Sequence, residues 1–97
     1  MKITMVVKVM PDGTLCQKCQ QVHERLKKLG HLERIDHIVT ASDEDPDSTG
    51  NLLAGLFQVD NAPFFIVEEE GQEPVIYTAH LKLMKEVLAR PSHQELS

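Results

Sequence analysis

The stretch KITMVVKVMPDGTLCQKC, residues 2–19, joins a strand pattern directly to two closely spaced cysteines. Apolar side chains alternate along its first half and share one face: Ile3, Met5, Val7 and Val9. Val6 on the opposite face indicates burial on both sides, as in a central strand of an α/β sheet. The Pro-Asp-Gly turn at residues 11–13 ends this predicted strand, and a helix is expected to follow.

That helix is predicted to begin at Thr14 and to run to Leu29. Thr14 with Gln17 three residues later is the pattern of a capping box, and Gly30 is a typical C-terminal stop. The side chains expected to face the core form a stripe: Leu15, Val22, Leu26 and Leu29.

The two cysteines differ in their predicted exposure. At about 100° per residue, Cys19 borders the apolar stripe, whereas Cys16 points further away from it. Cys16 also lies near the helix N-terminus, where free N–H groups and the helix dipole favour negative charge, and Lys18 adds a nearby cation. The pattern therefore predicts an accessible attacking thiolate at Cys16, tuned by Lys18, and a shielded resolving thiol at Cys19.

The rest of the chain completes a βαβαββα order. A second strand is expected over residues 35–40, and a short helix begins at Ser48 and carries Leu52, Leu53, Leu56 and Phe57. A third strand starts at Pro63, and a hairpin leads to a fourth strand over residues 74–77. A last helix covers residues 79–89, with four side chains facing inwards: Leu81, Met84, Val87 and Leu88. The first βαβ unit predicts parallel strands, and the hairpin predicts antiparallel ones.

Composition limits the function classes. A chain of 97 residues is expected to form one domain, over residues 1–90, with a flexible tail at residues 91–97. The formal net charge of −5 disfavours binding to nucleic acid or to anionic lipid. No apolar run approaches the roughly 20 residues of a membrane span. We expect a cytoplasmic protein, and a monomer because no helix shows a spare apolar face.

Cys16 and Cys19 are the two cysteines of the chain. The loop between them is too short to make a useful structural staple, so the pair indicates redox chemistry or metal binding. In the metal alternative, Cys16, Cys19 and His23 share one helix face and bind zinc or copper. A further ligand would come from elsewhere in the chain: His31, His37 or His80.

From these residues the sequence resembles the thioredoxin superfamily, and most closely the small glutaredoxin-like proteins, over residues 2–90. The resemblance rests on two segments: Cys16-Gln17-Lys18-Cys19 after the first strand, and Val59-Asp60-Asn61-Ala62-Pro63 before the third. The resemblance implies a four-stranded mixed sheet in the order second, first, third, fourth. It implies first and last helices on one face and the middle helix on the other. It also implies a cis peptide bond before Pro63, with Ala62 and Pro63 holding an extended substrate segment.

The sequence departs from both subfamilies. Leu15 and Gln17-Lys18 stand where thioredoxins carry a Trp and a Gly-Pro pair, and glutaredoxins have Pro-Tyr between the cysteines. Tyr77-Thr78-Ala79-His80 replaces the Gly-Gly segment that helps glutaredoxins to hold glutathione, which argues against glutathione as the reductant.

The leading hypothesis is a thiol–disulfide oxidoreductase that cycles a Cys16–Cys19 dithiol without a bound cofactor. Its expected partners are protein or small-molecule disulfides, and a reductase or small thiol as electron donor. The alternatives are the metal-binding protein and a thioredoxin-fold interaction module with weak redox activity.

Overall fold

A four-stranded mixed sheet forms the centre of the molecule, in a computed structural model that describes residues 1–88. The elements are β1 (Lys2–Val9), α1 (Gln17–Lys28), β2 (His37–Ser42), α2 (Thr49–Phe57), β3 (Phe64–Glu68), β4 (Val75–Tyr77) and α3 (His80–Leu83). A short 3₁₀ turn precedes β2, and a π-helical turn, Met84–Leu88, follows α3. The predicted end of the last helix at residue 89 and the predicted tail over residues 91–97 lie outside the described residues.

The strand order is β2-β1-β3-β4. β1 runs parallel to β2, with Val6 opposite Val39, and antiparallel to β3, with Met5 opposite Phe65. β4 is antiparallel to β3. This confirms the βαβαββα order read from the sequence and the sheet order that the resemblance implied.

Each face of the sheet carries its own apolar cluster. On one face, side chains of β1 and β3 pack with those of α1 and α3, among them Met5, Leu26, Phe65 and Leu83. On the other face, Val6, Phe64 and Ile66 pack against α2 through Leu53 and Phe57. The first and last helices therefore share one face, and β1 is buried on both sides as its sequence predicted.

The start of α1 differs from the prediction. The helix begins at Gln17, and Cys16 rather than Thr14 is its N-cap. Thr14 instead donates its backbone N–H and its hydroxyl to Asp12 Oδ1, at 3.0 and 2.7 Å. These two hydrogen bonds lower the pKa of Asp12, the hydroxyl contributing most. The predicted capping box was wrong because the Pro-Asp-Gly turn already engages Thr14.

Several predicted core positions are exposed. Leu29, expected in the core stripe of α1, is exposed, and in α3 Leu83 is buried in place of Leu81. β2 begins at His37 rather than at residue 35, because the 3₁₀ turn extends to Arg34 and Ile35 closes it.

α2 carries the largest difference from expectation. Leu52 and Leu56 are 58% and 71% exposed, because only one side of this short helix faces the sheet. The reason given for expecting a monomer, that no helix has a spare apolar face, is therefore wrong, and the oligomeric state stays a prediction. Within residues 1–88, no helix is both long enough and apolar enough to cross a membrane.

Candidate functional site

The loop between β1 and α1 delivers Cys16 to the end of the central strand. Gly13, at φ 90°, allows the turn to close, with its N–H donating to the Met10 carbonyl at 2.9 Å. Leu15 then pairs with Val9 in an isolated β-bridge, and the Cys16 N–H donates to the Lys8 carbonyl at 2.9 Å. The first cysteine is thereby fixed to the sheet by its backbone.

The Cys16 sulfur occupies the N-cap position of α1. Its backbone is extended, and its Sγ accepts the backbone N–H of Cys19 at 3.2 Å. A sulfur so placed receives a free N–H group of the first helical turn and lies at the positive end of the helix dipole. Cys16 is partly exposed, so a reaction partner can reach it.

Cys19 lies beneath this sulfur and is fully buried, at 0% exposure. The two Sγ atoms are 2.7 Å apart, whereas a disulfide bond measures about 2.05 Å, so a small movement would join them. Burial first, and the hydrogen bond with Cys16 second, raise the pKa of the Cys19 thiol to about 11. The Lys8 N–H donates a hydrogen bond to Cys19 Sγ at 3.3 Å, and this bond lowers the pKa of Cys19. At neutral pH, Cys19 therefore holds its proton.

The segment before β3 approaches the same end of the helix. The Ala62–Pro63 peptide bond is cis, as the resemblance implied. Ala62 packs against the same apolar cluster as Cys16, and buried Pro63 lines a cavity together with Lys18 and Val22 of α1. The structure therefore brings together Cys16, Cys19, Lys18, Ala62 and Pro63, all the site residues named from the sequence.

The metal alternative finds no support in this arrangement. His23 is half-buried on α1. Within residues 1–88, no three His, Cys, Asp or Glu side chains come together in a group that could hold a metal ion. The cysteine pair therefore lacks a third ligand in the described part of the chain.

Two residues at the site have positions there that the sequence did not predict. Lys8 bonds to both cysteines through its backbone, a role that leaves no side-chain signal in a sequence. His80 lines the cavity beside Pro63 and Lys18. The sequence carries one signal for it, a histidine where glutaredoxins have a Gly-Gly segment, but this signal alone predicts no position beside Pro63.

Comparisons with known proteins add little. No protein family model matches the chain, and no curated protein matches it. Among solved structures, it is similar to a thioredoxin from Thermus thermophilus, with 23% sequence identity and a TM-score of 0.49. That match covers 90% of this chain and 74% of the other, and a likeness of this strength carries no statement about activity. The strand order, the placement of the helices, the cis proline and the cysteine pair at the start of α1 give this chain a thioredoxin-like fold.

Proposed function

We propose that this protein is a thiol–disulfide oxidoreductase in which Cys16 attacks and Cys19 resolves. One observation carries the proposal: the sulfur of partly exposed Cys16, at a helix N-terminus, lies 2.7 Å from the sulfur of fully buried Cys19. A purely structural disulfide has no need of an exposed cysteine. A disulfide between residues three positions apart would also stabilise the fold little, because the loop that it closes is short. Thiol–disulfide exchange needs both an accessible attacker and a nearby thiol to release it.

The proposed reaction moves two electrons from the dithiol to the substrate. The Cys16 thiolate attacks one sulfur of the substrate disulfide, which breaks the substrate S–S bond and forms a mixed disulfide. The released substrate sulfur leaves as a thiolate and takes up a proton. Cys19 then loses its proton, attacks Cys16 Sγ and releases the second substrate thiol. The protein is left with a Cys16–Cys19 disulfide, which an external dithiol reductant returns to the starting state.

The remaining site residues have supporting roles in this proposal. Lys18 and the N-terminus of α1 stabilise negative charge on Cys16. The backbone of Ala62, next to the cis bond, offers hydrogen bonds to an extended substrate segment, and Pro63 shapes the surface beneath it. The burial that raises the pKa of Cys19 keeps its thiol protonated and unreactive until a mixed disulfide forms on Cys16.

A pair of serine variants tests the assignment. Cys16→Ser should abolish reduction of a test disulfide, with a loss of at least roughly 10³-fold, because the serine hydroxyl is not ionised at neutral pH. Cys19→Ser should instead accumulate a mixed disulfide on Cys16, visible as the mass of one substrate half in the intact protein. On mild oxidation, the intact mass of the wild type should fall by the mass of two hydrogens, and a reductant should reverse this change. A Cys16→Ser variant that reduces the disulfide at the wild-type rate would refute the proposal.

A further inference from the structure

The two edges of the sheet differ in how well they are protected against pairing with another chain. β4, at one edge, is only three residues long and follows Glu73 and Pro74. β2, at the other edge, has six residues, none of them Pro, Lys, Arg, Asp or Glu, and no strand within residues 1–88 pairs with its outer side. Short strands, prolines and charged side chains are the usual protection of a sheet edge. β2 has none of these, so its outer side is open to a further strand.

The backbone of β2 determines which groups this outer side presents. Just after the strand, the Asp43 N–H donates to the Val9 carbonyl of β1. Alternate residues of a strand point their backbone groups to opposite sides, so odd-numbered residues of β2 face β1. The backbone groups of Ile38, Thr40 and Ser42 therefore point outwards.

Of these three residues, only Ser42 already has partners for its outward groups. Its N–H donates to Ser48 Oγ at 3.0 Å, and its carbonyl accepts from Asn51 Nδ2 at 2.7 Å. For Ile38 and Thr40, no hydrogen bond to an outward group is present among residues 1–88. Both residues are exposed, so a strand from outside could reach them.

The helix above this edge presents an apolar flank. α2 rests on β2, since a Cβ at Gly50 would meet the β2 backbone. On its other side, Ala54 lines a cavity together with residues 59–62, which lead into β3. At about 100° per residue, Leu52 and Leu56 lie about 160° around the helix from Ala54. The two exposed leucines are therefore on the side of α2 that faces away from β3 and towards the free edge.

Charge favours a second copy of the same chain as the occupant of this edge. β2 and α2 contain no Lys, Arg, Asp or Glu, although such residues make up 26% of the chain. Two copies each carry a net charge of −5 and repel one another, so they associate most readily through an uncharged surface. A two-fold contact also needs a self-complementary surface, and antiparallel pairing of one strand with itself provides this.

We propose that a second copy of this chain pairs with β2 in an antiparallel sense, so that the two sheets join into one. With Val39 opposite Val39 of the second copy, the outward groups of Ile38 in each copy meet those of Thr40 in the other. Every outward N–H and carbonyl of these two residues then has a partner. The two α2 helices lie side by side on one face, with Leu52 and Leu56 between them. We call this contact the β2 interface.

The β2 interface makes a weak dimer that leaves the cysteine pair open. A standard interface buries about 800 Å² on each partner through roughly 20–30 residues. The β2 interface has fewer, so we expect a dissociation constant on the order of 10–100 µM. β1 separates β2 from β3, which begins after Pro63, so reaction at Cys16 should not depend on dimerisation. The proposal goes beyond the oxidoreductase function and runs against the expectation of a monomer.

Sedimentation equilibrium from about 5 µM to 1 mM, with dithiothreitol present, measures the association. The mean mass should rise from that of one chain, 10.9 kDa, towards twice that value. Raising sodium chloride from about 0.05 to 0.5 M should strengthen the dimer by at least roughly twofold, because salt screens the repulsion between two acidic chains. A dimer that weakens in salt would overturn the proposal. So would a monomer at every concentration, whether the edge is then free or covered by another segment or protein.

Variants assign the association to the β2 interface. Leu56→Lys buries two added ammonium groups between the helices, and Ile38→Pro removes an outward N–H that the single chain does not use. Each should weaken the dimer by at least roughly tenfold while disulfide reduction stays at the wild-type rate, which shows that the variant is folded. Leu29→Lys is the matched control, since it adds the same charge at an exposed leucine of α1, on the opposite face. If it weakens the dimer as much as Leu56→Lys does, the proposed interface is wrong.

Amide hydrogen exchange, followed by NMR, tests the register. The N–H groups of Ile38 and Thr40 should exchange more slowly at about 1 mM protein than at about 50 µM, because the dimer covers them. Those of Val39 and Ala41 point to β1 and should be protected equally at both concentrations. If the protein dimerises but exchange at Ile38 and Thr40 does not slow, the contact lies elsewhere and the β2 interface is refuted.

Discussion

At the scale of single residues, the decisive difference lies between two cysteines three positions apart. The sequence predicted an accessible Cys16 and a shielded Cys19 from the angle between them on a helix, and the structure has Cys16 partly exposed and Cys19 fully buried. The sequence did not predict that the Cys16 sulfur would itself cap the helix. Caps are recognised from Ser, Thr, Asp or Asn, so Thr14 was the better candidate by composition, and only the Asp12–Thr14 contacts exclude it.

The raised pKa of Cys19 makes the stability of the reduced protein depend on pH. In the unfolded chain this thiol titrates near its ordinary value of 9.0, but in the folded protein it keeps its proton up to about pH 11. Its contribution is therefore fully present below pH 9 and is lost as the pH rises through the folded pKa. The loss over this range should be roughly 2–3 kcal/mol, at about 1.4 kcal/mol per pKa unit.

Urea unfolding of the reduced protein at pH 8, 9, 10 and 11 would measure this effect against a Cys19→Ala variant. The variant leaves a small cavity, which lowers its stability by a similar amount at every pH, and it lacks the buried thiol. The difference in unfolding free energy between the two proteins should therefore narrow as the pH rises, because all other ionisable side chains are common to both. A difference that stays constant from pH 8 to pH 11 would show that the Cys19 pKa is not raised by folding.

At the scale of elements, two glycines of α2 make opposite predictions. A Cβ at Gly50 would lie 2.5 Å from the Thr40 carbonyl and from the Ala41 nitrogen, where the helix backbone rests on β2. Gly50→Ala should therefore destabilise the protein by at least about 2 kcal/mol, since backbone cannot move aside as a flexible side chain can. A Cβ at Gly55 meets nothing within 4 Å, so Gly55→Ala should stabilise the helix by about 0.5–1 kcal/mol.

Thermal unfolding of the two alanine variants provides the comparison, with each protein serving as the control for the other. The same substitution in the same helix should lower the melting temperature at Gly50 and raise it at Gly55. If both variants melt above the wild type, α2 does not rest on β2 as closely as the structure has it.

The helix α2 also shows where a sequence pattern stops being informative. Leu52, Leu53, Leu56 and Phe57 follow a helical spacing, and the helix is present. The pattern spans an arc of about 140° at roughly 100° per residue, however, and it does not say which part of that arc meets the sheet. The structure turns Leu53 and Phe57 inwards and leaves Leu52 and Leu56 exposed. α3 differs from its prediction for a related reason, since the π-helical turn after Leu83 alters the 3.6-residue period on which Leu81 was placed.

At the scale of the whole molecule, the order of elements followed from the sequence but the order of strands did not. Periodicity identified four strands and their parallel or antiparallel sense, because these depend on local patterns and connection lengths. Placing β1 between β2 and β3 depends on contacts between distant parts of the chain, and this order came from the resemblance to thioredoxin-fold proteins. The position of His80 beside Lys18 is of the same kind, since 62 residues separate them and only the closed sheet brings them to one cavity.

The sheet separates two clusters of core side chains that share no buried member, and this division predicts how mutations combine. Leu26 belongs to the cluster under α1 and α3, whereas Leu53 packs on the opposite face under α2. Leu26→Ala should cost about 2–5 kcal/mol because the side chain is fully buried, and half-buried Leu53→Ala should cost less. Since no partner is shared, the double variant should lose the sum of the two values to within about 0.5 kcal/mol.

The control for this prediction is a pair of substitutions within one cluster. Leu26 and Leu83 are both fully buried under the same face, so Leu26→Ala and Leu83→Ala enlarge the same region of the core. Their effects should deviate from additivity by at least about 0.5 kcal/mol in urea unfolding, because the second substitution acts on packing that the first has already relaxed. Strong coupling between Leu26 and Leu53, with none between Leu26 and Leu83, would mean that the sheet does not divide the core in two. The packing under α1, which carries both cysteines, would then depend on the packing under α2.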